Sequence, residues 1–168
     1  MNQAIYQMSP HRFNNFANYI DKLNITHHNL PEIFLNKDKI SQEKSTPQIS
    51  FQMASQEIEK DVYKTVFEVK IDHIINGIEK EQNSNKQYHI YTIELLYSAF
   101  THIENSASLN ETEKKKILLV DVPYLIFPNI RYLIANLTEN MKSPPVHINP
   151  INFAELFIKE SSNTEENK

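Results

Sequence analysis

The stretch Val120–Phe157, VDVPYLIFPNIRYLIANLTENMKSPPVHINPINFAELF, constrains the fold more than any other part of the chain, because its prolines dictate where helix can start and where it must stop. Pro128 suits the first turn of a helix, where a missing N–H costs nothing, and Ile130, Leu133, Ile134, Leu137 and Met141 follow at spacings of three and four. These positions make one apolar stripe. Pro144 and Pro145 cannot continue a helix, and a residue that precedes proline is pushed to extended geometry. The segment from Pro145 to Pro150 is therefore expected to be an extended crossover. A second helix is expected from Asn152, with Glu155 three positions on as in a capping box and with Phe153, Leu156 and Phe157 on one side. Two apolar helices joined by a proline-stiffened strap describe a groove-forming unit more readily than a catalytic one.

Glycine sharpens the exclusion of catalysis. Gly77 is the only glycine, so the chain cannot carry a P-loop, a dinucleotide-binding GxGxxG or a GxSxG nucleophile elbow. No nucleotide cofactor is expected. At 168 residues the chain is expected to form one domain. A net charge of -4 with interspersed signs offers no basic face to nucleic acid. No apolar run approaches the roughly 18 residues of a membrane span, and MNQAIYQMSPHR lacks the apolar core of a secretory signal. Together with the absence of cysteine, these features lead to the expectation of a soluble cytoplasmic protein.

Along the chain, Met1 to Ala17 gives conflicting signals: Phe13, Phe16 and Ile20 have helical spacing after Ser9-Pro10, so a short helix and a loose arm are both open. Tyr19 to Ile25 alternates as a strand, and Asn36 to Thr46 reads as a charged linker. Ile49, Phe51 and Met53 alternate with polar or small residues. The clearest strand is Asp61 to Ile75: Tyr63, Thr65, Phe67, Val69, Ile71 and Ile75 fall on one face, and Lys64, Glu68, Lys70 and Asp72 on the other. One dry face and one wet face favour an antiparallel sheet. Asn76-Gly77 and Asn83-Ser84-Asn85 read as turns, with Tyr88 to Phe100 returning as the partner strand. Ser108 with Glu111, and Asn110 with Glu113, each suit a capping box for a short helix that Pro123 interrupts. Strands first and helices last argue for an α+β fold, an antiparallel sheet of about four strands with C-terminal helices on one face.

Seven histidines raise the question of a metal, but no pair has the i, i+4 spacing of a helical zinc site and no thiolate is present; His27-His28 is the only local cluster. No metal site is expected, and no serine is marked as a nucleophile. Lys114-Lys115-Lys116 reads as the solvated start of a helix rather than a binding patch. The apolar inventory is more telling. One long helix largely covers the dry face of the sheet, yet Phe34, Phe51, Met53, Ile151, Phe153, Leu156 and Phe157 sit on short elements and straps. Surplus apolar surface of this kind is either buried between subunits or presented to a ligand. The stripe Ile130, Leu133, Ile134, Leu137, Met141 is expected to lie partly at a subunit interface, because one small sheet cannot hide its full width.

Three blocks resemble the SecB family of protein-export chaperones: Asp61-Val62-Tyr63 followed by Val66, Phe67, Val69 and Ile71; Ile126-Phe127-Pro128 with Arg131; and the run from Ile148 to Phe157, INPINFAELF. The likeness spans Tyr19 to Phe157 and leaves residues 1–18 as a variable arm, 19–158 as the chaperone domain and 159–168 as a flexible polar tail. It implies an ATP-independent holdase, not an enzyme, that assembles as a homotetramer, a dimer of dimers. Such a protein binds unfolded precursor proteins in hydrophobic grooves and delivers them to SecA without inserting into the membrane. It also implies that Phe51 and Met53 on one strand, with the strap and last helix, wall the client channel, so that polar replacement of Phe51, Phe153 or Leu156 weakens client binding and leaves stability unchanged. The sequence departs from the family where SecA is met: Lys22 and Thr26 stand at acidic positions, and Glu94 alone keeps its acidic character. The glycine pair expected near Tyr97-Ser98-Ala99-Phe100 and the tryptophan expected before the second strand are missing. A SecB-like chaperone dedicated to another client, such as an antitoxin, and a small-molecule carrier or enzyme on the same sheet are the alternatives.

Overall fold

The structure, a computed structural model, describes residues 8–28, 40–42, 47–79, 84–141 and 146–165. Five strands form one sheet: β1 (Phe13–His27), β2 (Ile40–Gln42), β3 (Gln48–Glu59), β4 (Val62–Glu79) and β5 (Ser84–Ile103). Their order is β1-β5-β4-β2, with β3 also paired to β4. Since β5 takes one edge of β4, β2 and β3 share the other, and the sheet is four strands wide. β2 runs antiparallel to β4 with Ile40 opposite Glu79 and Gln42 opposite Gly77. β4 and β5 are antiparallel as well: the N–H of Ile103 donates to the carbonyl of Asp61 at one end, and the Thr92 hydroxyl donates to Asp72 farther along.

The strand boundaries correct several expectations. β1 starts at Phe13, inside the stretch expected as an arm, because cross-strand bonds outweigh a weak helical spacing: Glu104 N–H donates to the Arg12 carbonyl, and the Asn15 amide donates to the Phe100 carbonyl. β2 lies within the expected linker. Asn76-Gly77 makes no turn. It continues β4, where Gly77 is held by pairing with Gln42.

The chain forms two compact units. The first, Met1–Tyr19, Met53–Val66 and Tyr97–Lys168, contains parts of β1, β3, β4 and β5 and all the helices. At its β3–β4 hairpin Asp61 has a left-handed backbone, φ 62°, a conformation that short polar side chains tolerate. Its carboxylate accepts from the backbone N–H of Ser106 at 3.1 Å and from the Ser106 hydroxyl at 2.5 Å, and the Tyr63 hydroxyl donates to Ser106. The hairpin is thereby tied to the short 3₁₀ turn Ser106–Ser108 that follows β5. Helix α1 (Glu111–Lys116) is closed by a reciprocal capping box between Asn110 and Glu113, with Ser108 left to the preceding turn.

Pro123 does not break the helix. One π-turn, Ile117–Asp121, precedes it, in which the N–H of Val122 reaches back five residues to the carbonyl of Ile117, and α2 (Val122–Asn140) carries on directly. Widening the ladder just before a residue that has no N–H spares a broken bond. Pro128 consequently sits inside α2 rather than in its first turn. The joined helix Glu111–Asn140 holds an 18-residue window apolar enough to cross a membrane, which the sequence reading overlooked, but 56% of that window is buried, as in the core helix of a folded protein. Buried apolar side chains of this unit come from sheet (Tyr63, Ala99, Ile103) and helix (Ile117, Val122, Ile126, Ile130, Ile134). α3 (Phe153–Glu165) runs into the stretch expected as a loose tail, helped by a Lys159–Glu155 pair at 2.7 Å one turn apart.

The second unit, Ile20–Gln52 and Phe67–Leu96, contains β2 and the remaining parts of the other strands. Phe67, Val69 and Ile71 of β4 and Tyr88, Ile90, Tyr91, Ile93 and Leu95 of β5 are among its buried residues, whereas Glu68 and Lys70 of β4 are exposed, as the alternation requires. His73 shares the buried face and meets the Tyr91 ring edge-on at 5.0 Å.

Candidate functional site

The first unit contains a cavity of about 270 Å³ between β3 and the start of the long helix. Its lining includes every residue from Met53 to Glu57, then Tyr63, Glu111, Lys114, Lys115, Leu118 and Leu119. Successive strand side chains point to opposite faces, so five consecutive residues line one cavity only when the strand's backbone edge forms part of its wall. That edge is open: β3 pairs with β4 and with no other strand among the described residues. The floor is apolar, from Met53, Tyr63 and Leu118, and the rim is charged. Three of the rim charges are engaged: Glu57 accepts from the N–H of Asp61 at 3.3 Å, and Lys114 pairs with Glu111 at 3.2 Å, which raises the lysine's pKa through that hydrogen bond. The volume suits one large side chain and falls short of the about 300–1,000 Å³ typical of small-molecule pockets.

The strap from Val146 to Asn152 is pinned to α2 at three places. Thr138 accepts from the N–H of Val146 at 2.8 Å, Arg131 Nε donates to the carbonyl of Ile148 at 2.6 Å, and the Tyr124 hydroxyl donates to Asn152 Oδ1 at 3.0 Å. The same Asn152 oxygen accepts from the N–H of Glu155 and caps α3, while the Glu155 carboxylate goes to Lys159 and completes no box. Phe153 is wedged edge-on between the rings of Tyr124 and Phe127, at 5.4 and 5.3 Å.

Met53 lines the cavity; Ile151, Phe153, Leu156 and Phe157 do not. Phe153 is 1% exposed and belongs to the core of its unit, and an aromatic beside a strap reads the same in either role until its ring partners are known. Leu156 is 41% exposed, and Ile151 and Phe157 are half-buried. In the second unit Phe51 is half-buried against Phe67, ring centres 5.9 Å apart. Phe34 lies outside the described residues. Of the expected interface stripe, Ile130 and Ile134 are wholly buried by their own unit, and Leu133, Leu137 and Met141 are half-buried. The outward face of α2 carries Leu125 and Tyr132, displaced from the stripe because the helix turns Ile126, Ile130 and Ile134 inward. Sequence reading also missed Lys115, Leu118 and Leu119, since a lysine run ahead of aliphatics looks like any solvated helix start.

On the second unit, Glu94 is paired with Lys22 at 3.0 Å, and this contact holds its carboxyl below the usual carboxylate range. His28 stacks on His89 at 4.0 Å, with Thr92 and Asp72 beside them. Among the described residues no group of three or more His, Asp or Glu side chains is arranged to hold a metal ion.

The sequence profile of the family described as "Preprotein translocase subunit SecB" matches residues 7–164. Protein-export protein SecB of Anaplasma phagocytophilum is 22% identical over 152 residues, 84% of this chain and 88% of that protein. The homologue of Neorickettsia sennetsu is 29% identical over 132 residues, 78% of this chain and 75% of its own. The match to the Bartonella quintana protein is 28% identical over 94 residues and spans 56% of this chain and 57% of that relative. Among solved structures, a SecB-like chaperone of Mycobacterium tuberculosis, in complex with a peptide from an antitoxin, shares the fold at a TM-score of 0.54 and 14% identity, covering 83% of this chain and 91% of that one. With nearly its whole length matched by the profile, the chain belongs to the SecB family of protein-export chaperones.

Proposed function

We propose that this chain is an ATP-independent cytoplasmic chaperone, working as a homotetramer, that binds unfolded precursor proteins and keeps them competent for export. The observation that carries the reading is the cavity along the open edge of β3. An unfolded chain offers two things regardless of its sequence, backbone hydrogen-bonding groups and scattered large apolar side chains, and an open strand edge beside an apolar pocket takes both. Binding of this kind requires no covalent step. The half-buried Phe51, Ile151 and Phe157 and the exposed Leu156 are candidates for further client contact. Measured by light scattering, the chain at stoichiometric amounts should suppress aggregation of an unrelated unfolding protein equally with and without ATP. No suppression would sink the reading.

A chaperone dedicated to another client is the second reading, and the Lys22–Glu94 pair favours it. SecA, as the family resemblance implies, is met through acidic residues, and here the one retained acid is neutralised by the lysine that replaces another. Changing Lys22→Asp with Thr26→Glu should free Glu94, restore a negative face and tighten SecA binding at low salt, chiefly through the on-rate. Unchanged affinity would leave the dedicated-client reading in possession.

A further inference from the structure

We propose that the stacked His28–His89 pair is an acid-sensitive latch that holds the end of β1 on β5. The N–H of His28 donates to the carbonyl of Ile90 at 3.0 Å, so this residue extends the pairing one position past β1 itself. Its ring lies on that of His89, with centres 4.0 Å apart and planes 21° from parallel. Three polar atoms converge on the Thr92 hydroxyl oxygen: Asp72 Oδ1 at 2.8 Å, His89 Nε2 at 3.1 Å and His28 Nε2 at 3.2 Å. A hydroxyl has one proton and two lone pairs. Its proton goes to Asp72, so both histidines must donate from Nε2, and each Nδ1 is left to receive the next proton. Uptake of that proton breaks no hydrogen bond in the cluster and changes only its charge. Asp72 is the one carboxylate in contact with the cluster among the described residues; its Oδ2 already takes Lys70 Nζ at 3.3 Å, and its Oδ1 lies 3.4 Å from His89 Nε2. A proton on His89 therefore meets an anion. One on His28 meets none and faces a charged ring 4.0 Å away. The other charges of the three strands do not alter this: Lys22 and Glu94 are paired with each other at 3.0 Å, Glu68 lies four residues back along β4, and alternation sends His27 to the opposite face. Imidazoles gain their proton between pH 8 and pH 5. Acid thus builds two like charges into the stack, and the strand end relieves them by lifting off β5, which leaves the Ile90 carbonyl without its partner.

Hydrogen exchange of the full-length chain, followed amide by amide by NMR and corrected for the intrinsic pH dependence of exchange, tests the latch. Two unit charges about 4 Å apart in water repel by enough to change an equilibrium constant about five-fold. The protection factor of the amide at position 28 should therefore fall about five-fold between pH 8 and pH 5. His28→Phe keeps a ring in the stack and His89→Gln keeps an N–H for Thr92, but neither can gain the charge, so each should hold its protection across the same range. Asp72→Asn should deepen the fall, since the first proton then also lacks an anion. His73→Phe, which removes the buried histidine of the same unit, should leave the fall as it is. Protection that does not change with pH, a fall that survives in both His28→Phe and His89→Gln, one that Asp72→Asn leaves unaltered, or one that His73→Phe abolishes overturns the proposal.

Discussion

His73 is the residue whose environment departs furthest from what its position in a strand pattern suggests. It is 7% exposed, on the dry face of β4, and its Nδ1 has no hydrogen-bond partner among the described residues. Burial lowers its pKa from the ordinary 6.5. The folded chain therefore takes up this proton less readily than the unfolded chain. The stability it permits is full above pH 6.5, is lost as the pH falls below that value, and levels off once the pH passes the depressed folded value. His73→Phe should remove this component: urea midpoints of the variant should change less than those of the parent between pH 8 and pH 5, and equal slopes would refute it. Asp61 shows the same sign for a different physical reason. Hydrogen bonds from Ser106 outweigh burial and lower its pKa, so its contribution is present above the unfolded value and is lost as the pH falls through the folded one. Its backbone adds a second constraint, φ 62°. Asp61→Asn, which tolerates that geometry, should cost less in denaturant midpoint than Asp61→Ala, which meets the left-handed penalty as well. An inverted order would mean that the tie to Ser106 alone governs the hairpin. Neither role was visible in sequence: alternation places His73 on the core face but says nothing of its orphaned nitrogen, and positive φ is a property of the turn.

At the scale of elements, what could be read from sequence was what short-range rules determine. The alternation of Tyr63 to Ile71 gave β4 its faces, Asn110 with Glu113 gave the cap of α1, and Asn152 gave the cap of α3. What escaped was decided by pairing partners distant in the chain: β2, the early start of β1, and the passage of Gly77 through a strand. Proline misled twice, because a π-turn absorbs Pro123 and leaves Pro128 in mid-helix. The strap is where this matters for function. Phe153, held between Tyr124 and Phe127, fastens α3 to α2, whereas Leu156, one turn on, is exposed. Phe153→Ala should cost about 3–5 kcal/mol, as for other buried aromatics, and Leu156→Ser within about 0.5 kcal/mol, as for open surface. Calorimetry of the two variants decides the matter. Near-equal melting temperatures would return Phe153 to the client site and remove it from the core.

For the whole molecule the open question is what covers its remaining apolar surface. β1 is an edge strand that pairs only with β5 among the described residues, and it exposes Phe16, Tyr19, Ile20 and Leu23. Natural edge strands are usually blunted by charge, proline or a bulge. Here both Phe16 and Tyr19 reach the ring of Phe100 although they are three residues apart, so the alternation is broken locally, and Lys64 lies 5.6 Å over the Tyr19 ring. These contacts partly shield the edge without covering it. α2 adds a separate apolar face through Leu125 and Tyr132, the latter 71% exposed. Two distinct uncovered patches on one chain are what a closed dimer of dimers uses, one isologous contact for each two-fold axis. Light scattering should therefore give the mass of four copies. Phe16→Lys with Ile20→Lys should leave dimers held through α2, and Leu125→Glu with Tyr132→Glu should leave dimers held through β1. All four changes together should give folded monomers with an unaltered far-ultraviolet dichroism spectrum, since every altered side chain is exposed. A tetramer that survives both pairs of changes would show that neither patch is an interface, and a parent protein of single-chain mass would remove the homotetramer altogether.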